Sequence, residues 1–270
     1  MCCENGALII DLIQVLSRNF FIKITFSLQN GIFLYNIYPF VLFYSTIFHN
    51  VIMQYNFSRR IFYRACRIFV YLFFRVYYLL KIRGRSNLPA ENGYILACSH
   101  QSFIDPFLAG CGISRFICFM ARSTLWNKRY FRCVDFLFKN SIPLKRGAPD
   151  RTALKNAMSR LENGWVILMF PEGTRTPDGK LGPVKKGPAF IADRTGAPIV
   201  PAVLRGAYEM WPRTRKLPSM LGWPFHRLEV HFGEPVRPED FKEFSGREKV
   251  AEITACLEKR MHEIFDSCDG

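Results

Sequence analysis

Apolar and polar residues alternate with the spacing of strands and helices from about residue 94 onward. Short apolar runs bounded by polar residues predict buried strands at 94–98, 116–121, 141–145, 165–170, 199–204 and 228–232. Helical patterns fall between and after these runs, at 106–111, 126–138, 151–162, 187–194 and 247–265. Strands that alternate with helices predict an α/β domain whose sheet is covered by helices.

The first third of the chain has a different pattern. Residues 24–58 contain no Asp, Glu, Lys or Arg, and the apolar run 32–53 is long enough to cross a bilayer. Polar residues and a proline interrupt this run, and we favour a membrane-embedded or re-entrant helix over a soluble core helix. We therefore expect a membrane-associated helical segment at 1–83 and a folded domain at 84–270.

The segment 61–82 combines aromatic and aliphatic side chains with Arg64, Arg67 and Arg75. Across residues 54–90 there are eight basic residues and no acidic ones. This composition is typical of an interfacial helix, whose rings lie among headgroups and whose arginines meet lipid phosphates. The alternative is a spanning helix with snorkelling arginines. Either arrangement tethers the following domain to a membrane, and the basic flank favours its cytoplasmic side.

Charge and composition narrow the class of partner. The chain has 37 basic and 22 acidic residues, a net charge of +15, and 26 phenylalanines. Such a chain fits nucleic acid or an anionic membrane, but it has no zinc-finger spacing and no RNP-like signature, so we expect no nucleic-acid partner. Its nine cysteines form no C-x-x-C pair, as is typical of reduced core residues. No His and Cys grouping has metal-ligand spacing, and we expect neither metal nor cofactor.

A histidine and an aspartate, His100 and Asp105, follow the strand predicted at 94–98 and precede a helix start. Five positions apart, their side chains would not meet on a regular helix or strand, so a pair requires a turn between them. In such a pair the carboxylate fixes one imidazole nitrogen as a donor and leaves the other free to take a proton. The structural alternative is a helix cap made by Asp105, or by Ser102 with Asp105.

Further charged residues and glycines collect where predicted strands end. They are Lys145, Arg146 and Gly147 after the third strand, Glu172, Gly173, Thr174 and Arg175 after the fourth, and Arg205 after the fifth. Ligands of open α/β sheets bind at the carboxyl ends of the strands, and guanidinium groups bind phosphate bidentately. This rim therefore predicts a phosphate site. The alternatives are a solvated strand end for Lys145 and Arg146, and an ion pair across a turn for Glu172 and Arg175.

Four ordered motifs resemble those of the glycerolipid acyltransferases, and most closely the 1-acyl-glycerol-3-phosphate O-acyltransferases. They are Ser99-His100-Gln101-Ser102-x-x-Asp105, I-P-L-K-R-G at 142–147, F-P-E-G-T-R at 170–175, and I-V-P-A at 199–202. Their order and spacing, within residues 84–236, make the resemblance specific. Ser99 stands where the family usually has Asn, and Thr176 where Ser is common.

The resemblance implies a helix-flanked mixed β-sheet preceded by a membrane-docking helical segment. It implies acyl transfer from acyl-CoA or acyl carrier protein to the free hydroxyl of 1-acyl-glycerol-3-phosphate, which gives phosphatidic acid in phospholipid biosynthesis. His100 would be the general base and Asp105 would orient it. The implied substrate-binding residues are Lys145, Arg146, Gly147, Glu172, Gly173, Thr174 and Arg175, with Lys186 as a further candidate. The enzyme would be membrane-associated, with its active site facing the cytoplasm.

Three alternatives stay open at this point. The first keeps the chemistry and changes the acceptor to another lysophospholipid or a lyso-aminolipid. The second is a thioester hydrolase that uses Ser99 or Ser102 with His100, although the chain has no G-x-S-x-G elbow. The third is a non-catalytic membrane-binding protein in which His100 and Asp105 are structural.

Overall fold

A seven-stranded sheet organises the part of the chain that the computed structural model describes, residues 61–124, 141–144, 150–215, 217–219 and 227–267. The helices are α1 (61–77), α2 (Asp105–Cys111), α3 (Arg151–Glu162), α4 (Gly187–Thr195), α5 (Ala207–Met210) and α6 (Gly246–Ser267). The strands are β1 (Lys81–Arg83), β2 (Tyr94–Cys98), β3 (Ile117–Arg122), β4 (Ser141–Leu144), β5 (Val166–Met169), β6 (Ile199–Arg205) and β7 (Glu229–Phe232). The predicted helix at 126–138 and the predicted membrane segment at 32–53 lie outside the described residues.

The strand order is β1-β7-β6-β2-β5-β3-β4, and neighbouring strands are parallel except β6 and β7. The prediction of a helix-flanked mixed sheet is therefore confirmed. β2 lies at the centre between β6 and β5, and all five of its residues are buried. A strand covered on both faces needs apolar side chains at every position, which explains its unbroken apolar run.

Side chains of β2 alternate between two apolar cores on opposite faces of the sheet. Tyr94, Leu96 and Cys98 share one core with α1 and α2, whereas Ile95 and Ala97 share the other with α3, α4 and α6. The predicted last helix contributes an apolar stripe to the second core, through Val250, Ile253, Leu257 and Met261. Helices thus cover both faces and leave the strand ends accessible.

The sheet includes one strand that the pattern did not predict. β1 pairs in parallel with β7, and Phe74 and Tyr78 at the end of α1 lie in the first core. The predicted division between residues 83 and 84 stays a prediction, but β1 belongs to the sheet, and Phe74, Tyr78 and Leu80 before it are buried in the first core. Most other large apolar residues of α1 are exposed, namely Ile61, Phe62, Ile68, Phe69, Leu72, Phe73, Val76 and Tyr77. Within the described ranges, no helix has both the length and the apolar character to cross a bilayer.

A glycine after β1 tests how firmly this edge of the sheet is held. Gly84 has φ +69°, and a Cβ there would collide with the carbonyl oxygen of Phe232 in β7. We expect Gly84→Ala to lower the free energy of unfolding by more than the about 1–2 kcal/mol that a left-handed φ costs alone. Gly196→Ala is the matched control, because its φ is +70° and no atom of the described residues lies within 4 Å of the new Cβ. Urea unfolding of the full chain in detergent measures both, and equal losses would contradict a tightly packed β1 edge.

Candidate active site

Two loops meet at the carboxyl edge of the sheet because β2 and β5 are parallel neighbours. The loop after β2 carries His100, and the loop after β5 covers residues 170–186. The Thr176 N–H donates to the carbonyl oxygen of His100 at 2.8 Å, and the Gln101 side-chain amide donates to the carbonyl of Gly179 at 2.9 Å. The two loops are therefore joined on either side of the histidine.

The predicted turn brings His100 and Asp105 together. His100 Nδ1 lies 2.8 Å from Asp105 Oδ2, and the same oxygen accepts the backbone N–H groups of Gln101 and Ser102 at 2.7 Å each. Asp105 is the first residue of α2, whose N-cap position is held by Ile104 without a side-chain hydrogen bond. Asp105 is therefore not the N-cap residue, but its carboxylate accepts the Ser102 N–H three residues before it, as the alternative of Ser102 with Asp105 supposed. The same carboxylate oxygen contacts the imidazole, so the two roles coexist.

The environment of this pair fixes the roles of the two ring nitrogens. Asp105 is fully buried, and burial raises its pKa, while the hydrogen bonds from His100, Ser102 and Gln101 oppose that rise. An ionised Asp105 requires the proton on Nδ1, which leaves Nε2 able to accept a proton. The imidazole also stacks on Phe170, with ring centres 3.9 Å apart and planes 18° from parallel. The arrangement presents an oriented base with one free nitrogen.

Glu172 lies beneath the same loop. Its Oε1 accepts the backbone N–H of His100 at 2.9 Å, and its Oε2 accepts the N–H of Gly182 at 3.2 Å. Burial raises its pKa to about 7; the two N–H donors lower the pKa, and the charge of Asp105 raises it. Both carboxylate oxygens thus accept hydrogen bonds from backbone N–H groups. The structure therefore gives Glu172 a positioning role beneath the histidine.

The loop after β5 also carries the other predicted acceptor residues that the structure describes. Gly173 and Thr174 are exposed, and the Arg175 guanidinium lies 3.4 Å from the ring centre of Phe103. Lys186 is exposed at the N-cap position of α4. Lys145, Arg146 and Gly147 lie outside the described residues. Arg205, at the end of β6, contacts Phe265 in the last helix.

Lys185, which the motifs did not single out, contacts the predicted acceptor loop. Its Nζ fills the space that a Cβ on Gly173 would occupy, and its backbone N–H donates to the carbonyl of Pro171 at 3.0 Å. The adjacent lysines 185 and 186 are equivalent in sequence, so only the start of α4 distinguishes their positions. The sequence also did not predict that Phe170 stacks on His100, because a phenylalanine next to a strand normally predicts core packing.

The hydroxyl groups of the two serines in the hydrolase alternative form hydrogen bonds with backbone groups. Ser99 Oγ accepts the N–H of Leu204 at 3.0 Å, and Ser102 Oγ donates to the carbonyl of Trp211 at 2.7 Å. Both side chains are fully buried. This placement removes them as nucleophiles. Among the described residues, no group of three or more His, Cys, Asp and Glu side chains is arranged to hold a metal ion.

Several known proteins are similar to this chain. The family model described as Acyltransferase matches residues 79–205. The 1-acyl-sn-glycerol-3-phosphate acyltransferase of Bacillus subtilis is 30% identical over 192 residues, which are 70% of this chain and 90% of that protein. The protein of the same name from Pseudomonas aeruginosa is 29% identical over 196 residues, 68% of each chain.

A solved structure agrees with the sequence comparisons. The crystal structure of the 1-acyl-sn-glycerophosphate (LPA) acyltransferase PlsC from Thermotoga maritima superimposes with a TM-score of 0.59 at 25% identity. The superposition covers 86% of this chain and 92% of that one.

The buried Glu172 predicts a specific dependence of stability on pH. Because its pKa rises from 4.5 to about 7 on folding, the folded protein binds a proton between these values that the unfolded chain has lost. Stability therefore falls as pH rises through this window, by on the order of 3 kcal/mol, and the full cost is present above pH 7. We expect Glu172→Gln to remove this part of the dependence, measured as the free energy of unfolding at pH 5 and pH 7.5.

Glu162→Gln is the control, since this carboxyl is exposed at the end of α3. It should keep the wild-type slope. A Glu172→Gln protein with the same slope as wild type would contradict a raised pKa at this position.

Proposed function

The chain belongs to the 1-acyl-sn-glycerol-3-phosphate acyltransferase family, and we propose that it transfers a fatty acyl group to the free hydroxyl of 1-acyl-glycerol-3-phosphate. The product is phosphatidic acid. The His100–Asp105 pair, joined at 2.8 Å at the end of the central strand, is the observation that carries this proposal. A base with one oriented free nitrogen is what the attack of an alcohol on a thioester requires.

The reaction follows from the geometry of the pair. His100 Nε2 takes the hydroxyl proton as the acceptor oxygen bonds to the thioester carbonyl carbon, and Asp105 stabilises the resulting imidazolium. The tetrahedral intermediate collapses, the C–S bond breaks, and the imidazolium returns its proton to the thiolate. A thioester is already activated, so both substrates react directly while held side by side, without an acyl-enzyme.

The acceptor phosphate binds at the loops after β4 and β5 in this proposal. Arg146 and Lys145 bind it with Arg175, and Gly147, Gly173 and Thr174 let it approach the backbone closely. Glu172 positions His100, and Lys185 takes the place suggested for Lys186. The concentration of cations favours a phosphate-bearing acceptor over a lyso-aminolipid without phosphate.

The donor is acyl-CoA or acyl carrier protein, and the net charge of +15 suits either acidic partner. We also propose that the segment 1–83 associates with a membrane and that the active site faces the cytoplasm. Support comes from α1, whose exposed Ile61, Phe69 and Val76 share the helix with basic residues. Exposed Phe103 and Phe107 close to His100 suit an active site that takes its acceptor from a lipid surface.

Thiol release from long-chain acyl-CoA, with the full chain in lipid vesicles, tests the proposed reaction. We expect release that depends on added lysophosphatidic acid and falls by roughly 10²–10⁴ in His100→Ala, because the proton then has no acceptor. His262→Ala, at an exposed histidine of α6, is the control and should keep activity. Release without any acceptor would indicate a hydrolase, and preference for lysophosphatidylglycerol would indicate a different lysophospholipid. Full activity in His100→Ala would contradict its role as base.

The paired variants Lys185→Ala and Lys186→Ala test which lysine binds the acceptor. Loss of a charge-assisted hydrogen bond should raise the KM for lysophosphatidic acid roughly 10-fold or more in Lys185→Ala and leave the KM for the donor near wild type. Lys186→Ala removes the same charge one residue away and should change neither KM beyond about twofold. A larger effect in Lys186→Ala, or equal effects on both substrates, would argue against Lys185.

A further inference from the structure

A cavity lies at the edge of the sheet where β2 begins, away from His100. It has a volume of about 400 Å³ and lies between α1, the first residue of β2 and the chain that follows α2. Three arginines line it, Arg67 from α1, Arg85 after β1 and Arg115 before β3. His100 follows the last residue of β2 and Tyr94 begins that strand, so the two sites lie at opposite ends of the same strand.

Each of the three guanidinium groups is held by backbone. Arg67 Nη1 donates to the carbonyl of Ile113, and Arg85 Nη2 donates to the carbonyl of Cys111 at 3.1 Å. Arg115 donates to the carbonyls of Asn92 and Gly164. A guanidinium has five N–H donors, so these bonds orient the groups and leave donors available for a ligand. The cations are therefore preorganised around the cavity.

The charged residues that line the cavity are all positive among the described residues. None of the described residues that line it is an aspartate or a glutamate. Arg85 lies over the ring of Tyr71 and Arg115 over that of Tyr94, at 5.9 and 5.8 Å from the ring centres. Such contacts orient a guanidinium without neutralising its charge. Capping the last carbonyls of α2 does not require three cations to line one cavity, so this arrangement favours an anionic ligand.

Apolar surface continues from the cavity along α1. Ile68 lines the cavity, and it belongs to the same exposed set as Phe69, Leu72 and Val76. A ligand that matches both surfaces carries a phosphate joined to acyl chains. We propose that this arginine cavity binds the phosphate headgroup of an anionic glycerophospholipid from the membrane, with the acyl chains against α1. The proposal deepens the membrane association proposed above and rests on it, but it concerns a site separate from catalysis.

The test measures vesicle binding by the full chain. Wild type is compared on phosphatidylcholine vesicles with and without phosphatidylglycerol, beside the double variant Arg67→Gln/Arg85→Gln. The control is Arg151→Gln/Lys155→Gln, which removes the same charge from exposed positions of α3 on the other face of the sheet. We expect wild type and control to bind the anionic vesicles at least tenfold more tightly, and the cavity variant to lose most of this preference.

A second assay separates the lipid site from catalysis and from folding. In detergent micelles with acyl-CoA and lysophosphatidic acid, the cavity variant should keep wild-type turnover, so a failure of the lipid site and a failure of the proposed reaction give different results. If the glutamine variant unfolds at a lower temperature, Arg85→Lys keeps the charge but loses the bidentate fork. It should then show a partial loss of preference at wild-type turnover.

Three results would overturn the proposal. The first is equal binding of both vesicle types by wild type. The second is the same loss of preference in the control and the cavity variant, which would show diffuse surface attraction. The third is stabilisation of wild type by inorganic phosphate that depends on Arg67 and Arg85 in the absence of any vesicle preference, which would indicate a site for free anions.

Discussion

Two buried carboxylates beneath one histidine are the constraint on which the active-site edge of the sheet depends. Removing a carboxylate from water is costly unless hydrogen bonds replace the lost hydration. Asp105 Oδ2 accepts hydrogen bonds from two backbone amides and the imidazole, whereas Asp105 Oδ1 is buried without a hydrogen-bond partner among the described residues. Glu172 accepts two backbone amides, one on each oxygen and each from a different loop. These bonds offset part of the lost hydration, and burial still raises the pKa of both carboxyl groups. Because the donors are backbone groups at fixed positions, satisfying the carboxylates fixes the path of both loops.

This solution links the sheet to the chemistry. β2 and β5 must be parallel neighbours for Glu172 to reach the amide of His100, and α2 must begin at Asp105 for its carboxylate to turn back onto the ring. Orientation of the base is thus supplied by the most buried strand and not by a mobile side chain. This placement lowers the stability of the folded protein at neutral pH, because burial disfavours the charged form of Glu172 and raises its pKa.

The two ends of β2 carry different kinds of polar surface. At its carboxyl end, Asp105 contacts the imidazole of His100, the base in our proposal, and Glu172 holds the backbone N–H of His100. At its amino end, three arginines without an acidic neighbour in the described lining surround a cavity next to the exposed apolar face of α1. An enzyme that acts on a membrane lipid needs both a reactive site and a means of holding the bilayer. In our proposal, the structure separates these two tasks along one strand.

Sequence alone determined the elements whose residues face a core, because burial imposes a local pattern. β2 and α3 have the predicted bounds, and α6 buries Val250, Ile253, Leu257 and Met261 at helical spacing. It also determined that His100 and Asp105 could pair only across a turn. β1 escaped prediction because three residues, of which Ile82 alone is aliphatic, carry no period and depend on β7 for their hydrogen bonds.

Tertiary structure decided what the charged residues do. The alternatives left open for Glu172 depended on which amides lie within reach, and those amides come from residues 72 positions before it and ten after it. The choice between two adjacent lysines depended on where α4 begins relative to Gly173. The three arginines of the cavity come from three separate stretches of the chain. Local pattern records which side of an element is buried, whereas the order of strands decides which distant side chains share a site.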